Sequence, residues 1–449
     1  MKKVTVFGAG FVTKPAVDYF LDDCGYQVTV TSLQLSEAER LVAGRENGTA
    51  LTWREEQTET LDRLVSESDL VLSMVPPPLH PIIAKACLRH KRDMITTSYI
   101  SPELEALDQQ CKDKGILILS EIGEDPGIDN MITKSMIDQI KRESGSVRAI
   151  KSYGAGLPAF ENNNNPFGYK FSWSPMGLIS AAKSSAAYLE KGQRIDVLAE
   201  CLFDHHWLID LDGIGTFETY PNRDAEKYLE CFGLEKDVSL FRGLLRFTGW
   251  CNTMKCFSEL NLFDSETVRD FEGLTYQDFM SRLIGEQKGD DVQQKTANLL
   301  GLRSGDDSIK RMNWLGLFDD DPIQTKTGTN SDLLLERMTR KLAYEPLEKD
   351  MVIIYTSILA EFPSAIEKRI TSLVMKGARG GDTAMSRAVS VPAALAAERV
   401  LQKKVSLKGV QRPTDPEIYE PVLKKLHEIG FHFSTKTVKM KDQAHEGLL

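Results

Sequence analysis

The sequence has few cysteines, no long hydrophobic run and no surplus of positive charge. Its seven cysteines include no C-x-x-C pair, which argues against a disulfide scaffold and predicts reduced thiols in a cytoplasmic protein. No apolar run approaches the roughly 20 residues that span a bilayer, so we expect no membrane association. The run Val4–Phe7 is also shorter than the core of a signal peptide, which has about 7–15 residues.

Acidic residues outnumber basic ones, and this imbalance limits the kinds of partner. Asp and Glu total 65 against 55 for Lys and Arg, so the 449 residues carry a formal net charge of −10. Such a chain has no electrostatic reason to bind nucleic acid or an anionic membrane. Hydrophobic residues at 41% and charged residues at 27% are ordinary for a globular protein, and the length indicates two or three domains.

Apolar strand-like runs alternate with helical segments over the first 120 residues. The predicted strands are Val4–Phe7, Gln27–Thr31, Thr49–Trp53, Asp69–Met74, Asp93–Thr97 and Ile116–Ser120. The predicted helices between them are Phe11–Cys24, Leu35–Gly44, Thr58–Ser66, His80–His90 and Pro102–Lys114. This alternation predicts an α/β fold with a doubly wound parallel sheet in the order 3-2-1-4-5-6.

The pattern changes after residue 127, where strand-like and helical pieces mix. The sequence then predicts a nearly all-helical stretch over Asn252–Leu342, paired strands at Met351–Ser357 and Glu367–Met375, and a final helix over Pro392–Lys403.

A glycine-rich motif, Gly8-Ala9-Gly10-Phe11-Val12-Thr13, connects the first predicted strand to the first helix. Gly8 permits a tight turn, and Gly10 lets the backbone approach a pyrophosphate, whose charge the helix N-terminus stabilises. The third fingerprint position, usually Gly or Ala, is Thr13, so an ordinary strand-to-helix turn stays open as the alternative. The surrounding βα series favours dinucleotide binding.

The end of the second strand bears on the choice of nicotinamide cofactor. NAD-binding proteins usually have an Asp or Glu there for the ribose hydroxyls, whereas this chain has Thr31-Ser32-Leu33-Gln34. Small hydroxyl donors suit a 2′-phosphate, but the loop has no Arg either. The sequence therefore favours NADP and leaves NAD open.

Two polar segments end predicted strands at the edge where open α/β sheets bind ligands. The segments are Ser73–Pro78 and Thr96–Tyr99. Ser98 and Tyr99 offer hydroxyls where nicotinamide and substrate should meet; turn capping and a core tyrosine are the alternatives.

The segment Glu121–Asn130 follows the sixth predicted strand. Asp125 precedes a proline, which holds it extended, and Gly127 allows a sharp turn. A carboxylate held there could orient an amine or water, although an Asp that caps the next helix is the alternative.

Two cations lie in segments that are typical of binding sites. Lys170 stands among aromatic residues in Asn165–Pro175, and Arg223 stands in the turn Tyr220–Asp224. An Arg fork binds a carboxylate through two hydrogen bonds; a surface cation is the alternative for each.

Histidine placement argues against a metal site. His205 and His206 are adjacent and point to different sides of the chain, and His80 stands alone. No H-E-x-x-H motif or cysteine pair accompanies them, so we expect no bound metal.

Taken together, these segments resemble the saccharopine dehydrogenase (L-glutamate-forming) family, also called saccharopine reductase. The resemblance runs nearly end to end in consistent order. The segments that carry it are Gly8–Thr13, Thr97–Pro102, Glu121–Gly123, Asp125–Asp129, Gly156–Ala159, Tyr169–Ser174, Tyr220–Asp224, Arg242–Gly243, Trp314–Phe318, Glu348–Val352 and Ala384–Met385.

The resemblance implies an architecture of three parts and a homodimer. A Rossmann domain over 1–128 is completed by a C-terminal segment from about 384 to 449. A mixed α/β domain for substrate binding and dimerisation covers 129–251 and 346–383, and a helical domain over 252–345 is inserted in it.

The resemblance also implies a reaction in lysine metabolism. The enzyme would be an NADP-linked oxidoreductase, with NAD left open, that interconverts saccharopine with L-glutamate and 2-aminoadipate 6-semialdehyde. An amine and an aldehyde condense to an imine, which the cofactor reduces.

Site residues follow from the matching motifs. Asp125 and Tyr99 are the candidates for proton transfer. The expected cofactor contacts are Gly8, Gly10, Phe11, Val12, Ser32, Leu33, Gln34, Val75, Thr97, Ser98, Glu124, Asp125, Pro126 and Ser174. The expected substrate contacts are Ser98, Tyr99, Asp125, Lys170, Arg223, Gly243, Leu244 and Leu245.

The chain departs from the family pattern at several of these positions. Leu33 stands where the family usually has Arg, Asn130 where it has His, Gly154 where it has Cys, and Leu244 where it has Thr. A related imine-reducing enzyme for another opine-like or polyamine-type amino acid therefore stays open, as does a non-catalytic dinucleotide-binding protein.

Overall fold

The N-terminal part of the chain alternates strands and helices, as the sequence predicts. The computed structural model describes residues 1–286 and 291–440. The first strands are β1 (Lys3–Phe7), β2 (Gln27–Ser32), β3 (Gly48–Thr52), β4 (Leu70–Ser73), β5 (Asp93–Thr96) and β6 (Leu117–Leu119). The helices are α1 (Lys14–Asp18), α2 (Leu35–Val42), α3 (Thr58–Ser66), α4 (His80–His90), α5 (Pro102–Glu105), α6 (Asp108–Lys114) and α7 (Ile128–Arg142).

The middle of the chain mixes short strands with helices. Its strands are β7 (Ser146–Pro158), β8 (Ala186–Glu190), β9 (Gln193–Val197), β10 (Trp207–Leu211), β11 (Gly215–Pro221), β12 (Ser239–Arg246), β13 (Arg269–Asp270) and β14 (Thr327–Gly328). Its helices are α8 (Pro175–Ala182), α9 (Leu229–Phe232), α10 (Trp250–Glu259), α11 (Tyr276–Leu283), α12 (Val292–Leu299), α13 (Asp307–Leu315) and α14 (Asn330–Lys341).

The C-terminal part contains two long strands followed by two helices and two further strands. These elements are β15 (Asp350–Phe362), β16 (Ala365–Lys376), α15 (Ala384–Leu401), β17 (Gly409–Gln411), α16 (Pro416–Glu428) and β18 (Phe433–Met440). Residues 287–290 of the expected helical domain and 441–449 of the expected C-terminal segment lie outside the described residues.

The helix predicted over Leu35–Gly44 ends two residues earlier, at Val42, and three other predicted helices differ more from the structure. The first begins at Lys14 rather than Phe11, because Pro15 lacks the N–H that a helix begun at Phe11 would need. The helix predicted over Pro102–Lys114 is the pair α5 and α6. The helix expected to begin at Pro392 is the second half of α15, and it is not the last helix, since α16 follows.

The described chain divides into two compact units. Unit 1 comprises Met1–Gly156, Tyr228–Lys236 and residues 350–440, and unit 2 comprises Leu157–Lys227 and Asp237–Lys349. Unit 1 is therefore assembled from three separate stretches of the chain.

Unit 1 contains a seven-stranded parallel sheet. Its strand order is β17-β6-β5-β4-β1-β2-β3, and neighbouring strands pair in parallel. The predicted order 3-2-1-4-5-6 is confirmed, and the C-terminal strand β17 extends the sheet beyond β6. Residues of β4 are buried throughout, as expected where helices cover both faces of a parallel sheet.

A second group of strands in unit 1 runs in the order β7-β15-β16-β18. The predicted pairing of two long strands is confirmed, because β15 and β16 form an antiparallel hairpin from Met351↔Lys376 to Phe362↔Ala365. β18 pairs antiparallel with β16. Helix α15 contacts β4 and β5, and α7 contacts β15.

Unit 2 combines an antiparallel sheet with the helices α10–α14. Its strands β10, β11 and β12 are neighbours, β8 pairs with β12, and β9 pairs with β8. Capping boxes begin α11 and α14: Thr275 and Thr329 each accept the N–H of the aspartate three residues on, which accepts their own N–H. Within the described ranges, every helix is too short or too polar to cross a bilayer.

Candidate active site

The glycine loop between β1 and α1 leaves open space above one of its glycines. Gly8 has φ +105°, and a Cβ there would lie 2.6 Å from the carbonyl oxygen of Met74. A Cβ on Gly10 would meet no atom of the described residues within 4 Å. Phe11 is exposed and Val12 half-buried. The loop therefore has room for a ligand group close to the main chain of Gly10, such as a pyrophosphate.

A carboxylate from helix α2 lies at the end of β2, although the strand-end loop itself contains no acid. The hydroxyl of Ser32 donates to Oε2 of Glu37 at 2.7 Å, since the first turn of α2 brings this side chain back to the strand. The N–H of Gln34 donates to the Ser32 hydroxyl at 3.4 Å. Leu33 is 62% exposed. Glu37 lies beyond the strand-end loop and is not among the residues predicted from the sequence; the acid in the first turn of the next helix is the signal that could have identified it.

The ends of β4 and β5 meet at a buried histidine. Val75 and Thr97 are half-buried beside these ends. His80 contacts the hydroxyls of Ser73 and Ser98 through its two ring nitrogens, each at 2.8 Å. Burial lowers the pKa of His80 to about 4. From the sequence, His80 is considered only as a possible metal ligand, so its contact with Ser98 is a structural finding.

The loop after β6 is a tight turn closed by two glycines. The N–H of Gly123 donates to the carbonyl of Pro126 at 2.9 Å. Gly127 has φ +153°, and a Cβ there would clash with the Gly123 carbonyl, so glycine is required. Within this turn Glu124 is buried, Asp125 is half-buried, and the peptide bond between Asp125 and Pro126 is cis.

The two residues expected to transfer protons form one hydrogen-bonded pair. The Tyr99 hydroxyl donates to Oδ1 of Asp125 at 3.1 Å. On β7, a Cβ added to Gly154 would lie 2.7 Å from Oδ2 of the same aspartate. The Asp125 carboxylate thus occupies the space that a side chain at position 154 would take.

A buried carboxylate connects the loops around this pair. Glu121 is 1% exposed and accepts the Tyr228 hydroxyl at 2.7 Å, the Ile100 N–H at 3.1 Å and Nε of Arg412 at 3.1 Å. Burial, the largest single effect, acts to lower the pKa of Arg412, but the charge of Glu121 together with smaller contributions from neighbouring acidic groups outweighs it, and the pKa is raised. Sequence reasoning missed this cluster because its members are 107 and 291 residues from Glu121 along the chain.

Two predicted site residues of unit 2 have structural partners. Lys170 forms a buried ion pair with Glu348. Burial, the largest single effect, acts to raise the pKa of Glu348, but the hydrogen bond from Lys170 together with those from the Glu345 N–H and Asn164 outweighs it, and the pKa is lowered. Ser174 caps α8 by accepting the N–H of Gly177 at 3.3 Å. The charge of Lys170 is therefore compensated within the protein.

Arg223 follows β11 in a strained turn. Its φ is +59°, its guanidinium donates to the hydroxyl of Ser184, and its carbonyl accepts the N–H of Ala187 at 2.9 Å. The predicted contacts Gly243–Leu245 lie on β12, with Gly243 paired to Pro221 of β11. The turn with Arg223 and this stretch of β12 are therefore neighbours in unit 2.

In the part of the chain that the structure describes, histidine and cysteine side chains form no metal-binding group. Among residues 1–286 and 291–440, no cluster of three or more His, Cys, Asp or Glu could hold an ion. His205 contacts the Tyr188 hydroxyl at 2.9 Å, and His206 contacts the carbonyl of Phe203 at 2.6 Å.

Comparison with known families agrees with this geometry. Residues 4–119 match the model of the saccharopine dehydrogenase NADP binding domain, so the parallel sheet of unit 1 belongs to a family of NADP-binding domains. Residues 123–431 match the model of the saccharopine dehydrogenase C-terminal domain.

Individual relatives cover almost the whole chain. The chain is 34% identical to mitochondrial alpha-aminoadipic semialdehyde synthase of Bos taurus over 98% of its length, although it spans only about half (48%) of that relative. It is 32% identical to saccharopine dehydrogenase [NADP(+), L-glutamate-forming] of Pyricularia oryzae, over 95% of the chain and 97% of the relative.

A solved structure has the same fold. Apo saccharopine dehydrogenase (L-Glu forming) from Saccharomyces cerevisiae matches with a TM-score of 0.86 at 30% identity, over 98% of this chain and 100% of that one. With both family models and this structure in agreement, the chain belongs to the saccharopine dehydrogenase family.

Proposed function

We propose that this chain interconverts saccharopine with L-glutamate and 2-aminoadipate 6-semialdehyde as an NADP-linked oxidoreductase, with the use of NAD left open. The observation that carries the proposal is the Tyr99–Asp125 pair at the carboxyl edge of the parallel sheet, joined at 3.1 Å. Relatives named for this reaction support it, including the enzyme from Pyricularia oryzae.

The cofactor supplies or takes the hydride, and the protein positions the reactants. Gly10 leaves room for the pyrophosphate, and Ser98 lies at the end of β5, where the nicotinamide ring is expected. Thr97, Glu124 and Pro126 complete the expected cofactor contacts.

Asp125 and Tyr99 are proposed to manage protons during imine formation and hydrolysis. Oδ1 of Asp125 would accept a proton from the substrate amine or from water, while the Tyr99 hydroxyl holds that oxygen in place. Arg223 would bind a substrate carboxylate through its planar fork. Lys170 has Glu348 as its partner, so binding of a second substrate carboxylate by Lys170 would require it to share or exchange that partner.

A substrate panel separates this proposal from its alternatives. Saccharopine and other secondary-amine amino acids, opine-like and polyamine-type, would be compared at alkaline pH by NADPH and NADH absorbance. We expect saccharopine to give the highest kcat/KM. A higher value for another amine would identify a related imine-reducing enzyme, and dinucleotide binding without turnover would identify a non-catalytic protein.

Substitutions of the hydrogen-bonded pair test the proposed proton transfer. Asp125→Asn keeps the shape of the side chain but removes its basicity, so kcat should fall by roughly 10²–10⁴-fold. Tyr99→Phe should cost less, because the carboxylate itself remains. Wild-type turnover in Asp125→Asn would contradict the assignment.

We further propose that the chain forms a homodimer, as the family resemblance implies. Sedimentation equilibrium of the purified protein would measure its mass in solution. A value twice the 50.3 kDa of the chain is expected, and a monomer at enzyme-assay concentrations would contradict the proposal.

We also propose a reducing, cytoplasmic environment for the protein. All seven cysteines are free thiols in the structure, as expected where glutathione keeps thiols reduced. Fractionation of the native cells, followed by detection with a specific antibody, would test this; recovery in an organelle fraction would contradict it.

A further inference from the structure

His80 is a buried titratable residue that the proposed reaction does not use. It is the first residue of α4 and is 1% exposed, although the preceding prolines, Pro76 to Pro78, are exposed. Its ring is therefore held inside unit 1, directly beneath the edge of the sheet where ligands are expected.

Both ring nitrogens of His80 contact hydroxyls. Nδ1 lies 2.8 Å from Oγ of Ser73, the last residue of β4, and Nε2 lies 2.8 Å from Oγ of Ser98, two residues beyond β5. The Thr96 hydroxyl lies farther away, at 3.4 Å from each nitrogen. The imidazole thus links the ends of two adjacent strands.

Ser98 has its main chain fixed as well as its side chain. Its N–H donates to the Thr96 hydroxyl at 3.3 Å, and its carbonyl accepts the N–H of Glu121 at 3.0 Å. Among the described residues, its hydroxyl has no bonding partner other than His80. The Ser98 hydroxyl therefore makes one hydrogen bond to His80, and its remaining hydrogen-bonding capacity is directed away from the imidazole.

We propose that His80 is a positioning residue that orients the Ser98 hydroxyl toward the nicotinamide cofactor and substrate. The proposal rests on the proposed function, in which Ser98 contacts both ligands. A neutral imidazole has one donor and one acceptor nitrogen. In the tautomer with Nε2–H, the ring donates to Ser98 and leaves the serine O–H directed to a ligand oxygen. In the tautomer with Nδ1–H, Nε2 is the acceptor, so the serine O–H would donate to the ring instead of to a ligand.

A matched pair of variants separates the two sides of the ring. The side-chain amide of His80→Asn reaches the position of Nδ1 and so can contact Ser73 alone. The longer amide of His80→Gln reaches the position of Nε2 and can contact Ser98. We expect His80→Asn to lower kcat/KM for saccharopine, or NADPH affinity, by roughly two- to tenfold, the usual range for one neutral hydrogen bond. His80→Gln should restore most of the loss.

A double-mutant cycle with Ser98→Ala gives the decisive readout. If His80 acts through Ser98, His80→Asn should have no further effect once the serine hydroxyl is absent. NADPH titration of the four proteins gives this cycle without turnover, so it remains a test even if saccharopine is not the substrate. The proposal would be overturned if His80→Asn lowered NADPH affinity equally with and without the Ser98 hydroxyl. It would also be overturned if His80→Asn had the wild-type kcat/KM and the wild-type NADPH affinity.

Discussion

At the scale of single residues, the two glycines of the first loop have different constraints. The protein itself limits Gly8, because its positive φ and the nearby Met74 carbonyl leave no room for a side chain. Among the described residues no such neighbour limits Gly10, so we expect its small size to matter only when a ligand is bound.

Gly10→Val should therefore abolish dinucleotide binding without unfolding the protein. The branched side chain would occupy the space over which the pyrophosphate passes. Calorimetric titration with NADPH and NADH, together with the melting temperature, measures both effects. The control Gly8→Ala should instead lower the melting temperature. Unchanged affinity for both cofactors in Gly10→Val would contradict the placement of the cofactor.

We expect discrimination between NADPH and NADH to depend on Leu33 and Glu37. Leu33 supplies no charge, and the Glu37 carboxylate at the end of β2 suits ribose hydroxyls better than a phosphate. We expect a modest preference for NADPH. Leu33→Arg should increase it by about 1.5–3 kcal/mol, or roughly tenfold to more than a hundredfold in the ratio of dissociation constants. An unchanged ratio would show that this loop does not contact the 2′ position.

Arg223 is expected to bind a substrate carboxylate. Arg223→Lys cannot reproduce the planar fork, so KM for saccharopine should rise while NADPH affinity stays the same. Arg223→Ala should cost more, roughly 2–5 kcal/mol, if the carboxylate it pairs with is buried in the complex. Steady-state kinetics and NADPH titration test this. Loss of cofactor affinity, or wild-type kinetics in both variants, would show that Arg223 is structural.

At the scale of elements, His80 makes the junction of β4 and β5 sensitive to acid. Burial holds the pKa of this histidine at about 4, against an ordinary value of 6.5. The unfolded chain therefore binds more protons between these values, and stability should fall by about 3 kcal/mol as the pH drops from 6.5 to 4.

Denaturant unfolding of the wild type and His80→Gln across this pH range checks the prediction. The variant should lose this part of the pH dependence, whereas substitution of the exposed His427 by Gln should leave it in place. Parallel pH profiles for the wild type and His80→Gln would contradict the burial argument.

The elements around the site show what can be predicted from sequence. Alternating apolar runs and helices predict the parallel sheet because a strand and the helix that follows it are local features. Contacts such as Ser32–Glu37 depend on how a helix turns back on its strand. The Glu121–Arg412 pair depends on a segment 291 residues away, so no local pattern could indicate it.

At the scale of the whole molecule, unit 1 is built from three stretches of the chain. The C-terminal strand β17 completes its parallel sheet, and Arg412, just after it, neutralises the buried Glu121. The family resemblance implies that a C-terminal segment completes the Rossmann domain, an expectation that composition and periodicity alone do not provide. No feature of the sequence indicates that Tyr228–Lys236 belongs to unit 1.

The stoichiometry of the reaction tests the central claim most directly. The purified chain would be incubated with saccharopine and NADP⁺ at alkaline pH, and NADPH, L-glutamate and 2-aminoadipate 6-semialdehyde would each be quantified. The proposed function predicts that the three products accumulate in equal amounts. With Asp125→Asn, all three should form much more slowly than with the wild type. NADPH formed without L-glutamate, or no saccharopine-dependent reduction of either NADP⁺ or NAD⁺, would contradict it.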